Sequence, residues 1–111
     1  MSYNVRTIPP FDKEFKALKK KYASIVKDLE NLEKELVKNP ELGDEITKDI
    51  YKIRMAITSK NRGKSGGARI IYFNLFAQKT DSDEIVLLAI YDKGDRENIT
   101  DKEIRQALKE V

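Results

Sequence analysis

Six basic residues and no acidic one occupy the stretch from Lys52 to Arg69: Lys52, Arg54, Lys60, Arg62, Lys64 and Arg69. Guanidinium forks match phosphate oxygens two at a time and stay charged, while a lysine crowded by other cations has its ammonium form disfavoured. Such a cluster could bind a phosphodiester and also supply a base. The whole chain carries 22 Lys and Arg against 19 Asp and Glu, a net charge of +3; taking those six away leaves 16 basic against 19 acidic. A cationic patch on an otherwise acidic body is the footprint expected for an anionic partner. Charged, glycine-rich runs are often only solvated connections, but this segregation favours anion binding. Whether the patch also catalyses stays open at this level.

Other chemistry is excluded by composition. With no cysteine there is no disulfide, thiolate nucleophile or Cys-based zinc or iron–sulfur site. The absence of histidine removes the Ser-His-Asp triad and the imidazole base, leaving Lys, Arg, Tyr, Asp, Glu and Ser/Thr. Gly63-Lys64-Ser65 invites a nucleotide-loop reading, but that motif needs glycine where Thr58 stands and a helix where Ala68 to Phe76 reads as strand. Asp92 and Asp95 lack companions at a metal-ligand spacing, so neither metal nor cofactor is expected. Tyr72, Phe73, Phe76 and Tyr91 read as packing aromatics; Tyr72 and Tyr91 differ in that their hydroxyls need a polar end, and Tyr72 is the candidate for stacking on a nucleic-acid base.

The elements that must position these groups follow from periodicity. The 111 residues suit a single domain over 1–111. Tyr3 to Ile8 alternates as a short strand stopped by Pro9 and Pro10. Phe11, Phe15, Leu18, Tyr22, Ile25, Leu29, Leu32 and Leu36 then fall on one helical stripe. One long helix and a helical hairpin both fit; Ser24 as a mid-segment N-cap favours the hairpin. Asn39 and Pro40 end it, and Gly43 marks a turn. Asp49 to Ile57 alternates as a strand with Lys52 and Arg54 on one face. The connection from Thr58 to Gly67 holds three of the five glycines. Arg69 to Phe76 and Ile85 to Tyr91 read as strands joined by a turn at Asp81 to Asp83, and Thr100 with Glu103 forms a capping box before a short helix. The expected fold is α+β: a strand, a helical hairpin, a three-stranded antiparallel meander and a C-terminal helix. All six cations would then converge on one end of the sheet. Neither a leader peptide nor a run of ~18 apolar residues is evident, so a cytoplasmic protein with no membrane association is expected.

Tyr51-Lys52-Ile53-Arg54-Met55-Ala56, Gly63 through Phe73 (GKSGGARIIYF), Ile85 to Asp95, and Asn98-Ile99-Thr100 together resemble the RelE/ParE toxin superfamily, with the HigB-like RelE toxins as the nearest branch. The resemblance spans nearly the whole chain. It implies a RelE-like toxin partnered by a cognate antitoxin protein, acting on the ribosome and mRNA as a metal-independent endoribonuclease. In that chemistry the RNA 2′-hydroxyl attacks the adjacent phosphorus, leaving a cyclic phosphate and a free 5′-hydroxyl. Carried over by position, Arg54 and Arg69 would meet transition-state charge, Lys52 or Lys64 would act as base, and Lys60 and Arg62 would grip ribosomal RNA. The family has an arginine where this chain has Gly94 and a tyrosine where it has Thr100; Lys93 is the nearest cationic substitute. Two other readings are a ParE-like gyrase inhibitor and a catalytically inactive RNA-binding relative. Cations concentrated on the second strand and the glycine loop favour the nuclease.

Overall fold

The computed structural model describes residues 4–60, 63, 66–75, 84–96 and 98–111. Arg62, Lys64 and the turn expected at Asp81 to Asp83 lie outside them. Strand β1 (Asn4–Thr7) leads into helices α1 (Pro9–Lys21) and α2 (Ile25–Lys38). Strands β2 (Asp44–Thr47), β3 (Ile50–Met55), β4 (Ala68–Asn74) and β5 (Glu84–Asp92) follow, then helix α3 (Asp101–Leu108). The sheet order is β1-β5-β4-β3-β2, antiparallel throughout except for β1, which runs parallel to β5.

The helical region is a hairpin. Pro9 and Pro10, which stop β1, also open α1, because the first turn of a helix has no use for their missing N–H groups. Phe11, Leu18, Ile25, Leu29, Leu32 and Leu36 of the apolar stripe are buried, with Phe15 and Tyr22 packed against them. Ser24 stands at the N-cap of α2 but makes no cap bond. Its hydroxyl instead donates to Asp28 at 2.8 Å and accepts from the Ser59 amide, also at 2.8 Å. Asp28 in turn accepts from the Thr58 amide and hydroxyl, so the start of α2 anchors the chain leaving β3.

The meander is larger than the sequence implies. Four antiparallel strands run from β2 to β5, because Asp44–Thr47 adds a strand to β3 where only a turn at Gly43 was expected. This segment is exposed along its length and carries only Ile46 as an apolar residue, so no alternation betrays it. Pairing with β3 creates the strand, and a tight turn through Asp49, at φ 63°, closes the hairpin. On the far side of β3, Tyr72 lies at 0% exposure and stacks on Tyr51 with ring centroids 5.3 Å apart. Its hydroxyl donates to Pro40 O at 2.9 Å and accepts from Gly43 N at 3.0 Å, tying β4 to the connection between α2 and β2. Burial pushes this phenol up to about 12.

α3 lies across the other face, where Ile104 and Leu108 share a cleft with Ile50 and Phe73. Its capping box is formed from both sides: Thr100 Oγ1 accepts from Glu103 N, and the Glu103 carboxylate accepts from Thr100 N. Among the described residues, no helix is long and apolar enough to cross a membrane.

Gly67 marks where the glycine connection meets the sheet. A Cβ there would stand 2.1 Å from Met55 O, so no side chain fits while β3 and β4 keep their spacing. Gly67→Ala is expected to cost about 3 kcal/mol by forcing those strands apart. Urea unfolding would measure the loss.

Candidate active site

Strand register assembles the cations. Arg54 pairs with Arg69 across β3 and β4, and Arg69 with Tyr91 across β4 and β5, so these three side chains leave one face in a row. Lys52, two residues before Arg54, shares that face by the period of two. Lys93 enters from the turn after β5 and Asn98 from the segment before α3. Together with Asp44 and Ile46 of β2, Lys52, Arg54, Arg69, Lys93 and Asn98 line an open groove of about 370 Å³, a size suited to a small ligand or a short stretch of a polymer. Four of the five sequence-derived catalytic candidates, Lys52, Arg54, Arg69 and Lys93, therefore meet in one place; the fifth, Lys64, lies outside the described residues.

Arg69 sits at the floor, 2% exposed, with Nη1 donating to Ala68 O at 3.2 Å. Burial and then the neighbouring Arg54 pull its guanidinium below the usual range, while Tyr91 partly offsets them. Loss of solvent and a neighbouring like charge both disfavour the charged form. An anion entering the groove would supply a counter-charge to both guanidiniums, which makes a perturbed cation in a cleft a functional candidate. Arg54 and Lys93 are exposed above it. Lys52 Nζ donates to Asn98 Oδ1 at 3.0 Å.

Lys60 is directed elsewhere. Its ammonium donates to Asp92 Oδ1 and to Gly66 O, both at 2.8 Å, and lies 5.2 Å from the centre of the Tyr22 ring. The side chain is 16% exposed. This geometry commits Lys60 to the frame, as the burial of Tyr72 does for that residue: a base can stack only on an aromatic face that it can reach.

Sequence reasoning missed Asp92, which is 3% exposed and gathers three donors. Tyr22 hydroxyl, Lys60 Nζ and Gly94 N all reach its carboxylate. Burial alone would push this acid up, but the hydrogen bonds from Lys60, Tyr22 and Gly94 and the charge of Lys60 outweigh it and hold it at about 2. Its backbone carbonyl accepts from Asp95 N and Arg96 N, so the same residue shapes the turn that carries Lys93. A signal was there to see: one carboxylate ending an otherwise buried strand must find partners. Among the described residues, no group of three or more acidic side chains is placed to hold a metal ion.

The chain matches no protein-family model. Its structure is similar to that of the E. coli toxin RelE, solved in the free state as a double arginine-to-alanine mutant, with a TM-score of 0.60 and 16% sequence identity. The match covers 100% of this chain and 99% of that one. The groove is thus built on a RelE-like toxin fold.

Proposed function

We propose that this chain is the toxin of a toxin–antitoxin pair, of the HigB-like branch of RelE-type toxins, and that it cleaves mRNA on the ribosome. What carries the reading is the convergence of Lys52, Arg54, Arg69 and Lys93 in one groove. In-line cleavage of RNA needs a base at the 2′-hydroxyl, cations against charge growing on the phosphoryl oxygens, and a proton for the departing 5′-oxygen. Arg69, low in the groove, and Arg54 beside it take the phosphoryl oxygens. Lys52, after its ammonium has lost a proton, takes up the 2′-hydroxyl proton as a neutral amine, and that oxygen bonds to phosphorus as the 5′-oxygen leaves. Lys93, from the opposite rim, supplies the proton to the leaving oxygen. DNA has no such hydroxyl, so RNA alone is cut. Arg62 grips ribosomal RNA, whereas Lys60 and Tyr72 serve the frame. In the cytoplasm, an acidic or apolar segment of the cognate antitoxin masks the cations.

A catalytically inactive RNA-binding relative is the second reading. It is favoured by the commitment of the Thr100 hydroxyl to the capping box and by the lack of any side chain at Gly94, the two positions where the family supplies catalytic groups. Mapping mRNA 5′ ends in cells that express the protein separates the readings, with Arg69→Ala as control. Cuts inside translated codons that vanish in the variant are expected. Intact transcripts bound by the protein would favour the inactive relative, and intact transcripts with stalled replication would point to a gyrase inhibitor.

A further inference from the structure

The resemblance that led to the cations gives Asn98 no function, yet this residue lines their groove and accepts a hydrogen bond from Lys52 at 3.0 Å. An ammonium can only donate, so the amide oxygen must face Lys52. The backbone that carries that amide is held from behind. Arg96 Nε and Nη2 both donate to the Asn98 backbone carbonyl, at 3.2 and 3.0 Å. Arg96 Nη2 also donates to Glu103 Oε1 at 2.7 Å, and the guanidinium lies 5.1 Å from the centre of the Tyr91 ring. The same Glu103 oxygen accepts from Thr100 N at 3.1 Å and from the Thr100 hydroxyl at 3.0 Å. The capping box of α3 therefore holds Arg96, Arg96 holds the backbone of Asn98, and Asn98 holds the ammonium of Lys52.

We propose that Asn98 is a positioning residue that orients Lys52 in the groove, and that the Arg96–Glu103 clamp keeps Asn98 in place. This rests on the reading of Lys52 as the base. A flexible lysine has several rotatable bonds, and one acceptor on a braced segment removes most of that freedom before substrate arrives. Arg54, Arg69 and Lys93 cannot do this, since they are cations. Asp44, the one carboxylate among the described lining residues, lies across from Lys52 on an exposed edge strand.

The test reads the lysine itself as well as the reaction. In protein labelled with ¹⁵N-lysine, the Nζ signal of Lys52, assigned by its loss in Lys52→Arg, is expected to be resolved from those of solvated lysines. Asn98→Ala should move it to their position, Asn98→Asp, which keeps an oxygen there, should restore it, and Arg96→Gln and Glu103→Gln should shift it part of the way. On programmed ribosomes, Asn98→Ala is expected to lower kcat about tenfold, with less than about a twofold change in KM. The double variant Asn98→Ala with Arg96→Gln should fall no further, because the two act in series. An Nζ signal unchanged in Asn98→Ala would overturn the proposal, as would full kcat in that variant. If the native protein does not cleave RNA, or Lys52→Ala cleaves normally, the assignment of Lys52 as base fails instead, and the Nζ signal still decides whether Asn98 holds it.

Discussion

Arg69→Ala and Arg69→Met are both expected to lower ribosome-dependent mRNA cleavage about 10²- to 10³-fold, the usual cost of deleting one group that stabilises transition-state charge. Their stabilities should differ. Arg69 is 2% exposed, so alanine leaves a cavity beneath Arg54, whereas methionine refills most of the volume with apolar atoms. Methionine removes the charge and the hydrogen bond to Ala68 O but keeps most of the packing, so its thermal midpoint should lie nearer to that of the native protein than the midpoint of Arg69→Ala does. The expected pattern is a dead Arg69→Met that melts later than Arg69→Ala. A methionine variant that loses both activity and stability would mean that Arg69 serves the fold.

Asp92→Asn should have the largest effect on stability. The substitution keeps the shape of the side chain but leaves the Lys60 ammonium, 16% exposed, without its counter-charge. Breaking a buried pair from one side costs about 3 kcal/mol or more, or roughly 10–15 °C in midpoint for a domain of this size. Losing the anchor of Lys60 and Gly94 should also loosen the turn that carries Lys93, so activity should drop even below the melting range. Acid provides an independent check. Asp92 is held at about 2 against an ordinary 3.8. Its folded pKa is depressed, so its contribution is fully present above pH 4 and is lost as pH falls toward 2. That contribution is about 2 kcal/mol. Urea unfolding from neutral pH down to pH 2 should therefore show a steeper fall for the native protein than for Asp92→Asn.

The two substitutions probe neighbouring register positions at one end of the β4–β5 pair. Arg69 was legible from sequence because it follows a glycine connection and opens a β-branched run, and because the alternation of Lys52 and Arg54 gave it neighbours. Asp92 was passed over as a carboxylate without metal-binding companions, since its partners Tyr22 and Lys60 lie far away along the chain and only folding brings them together. The partner of Lys60 was hidden for the same reason: within a cationic run its charge looks like its neighbours' charges, and only folding pairs it with Asp92.

Sequence alone determined what local periodicity and composition can encode. The helical stripe from Phe11 to Leu36, the shared face of Lys52 and Arg54, and the capping box of Thr100 and Glu103 all depend on residues a few positions apart, whereas the break near Ser24 that makes a hairpin of the stripe was only favoured. The missing histidines and cysteines likewise confined any chemistry to lysines, arginines and oxygen groups. Tertiary structure decided everything that pairs distant residues. It made a strand of Asp44–Thr47, buried Tyr72, gave Lys60 to Asp92 and brought Asn98 to Lys52. A side chain's type states which bonds it can form, but which partner it meets depends on chain segments that only the closed sheet places side by side.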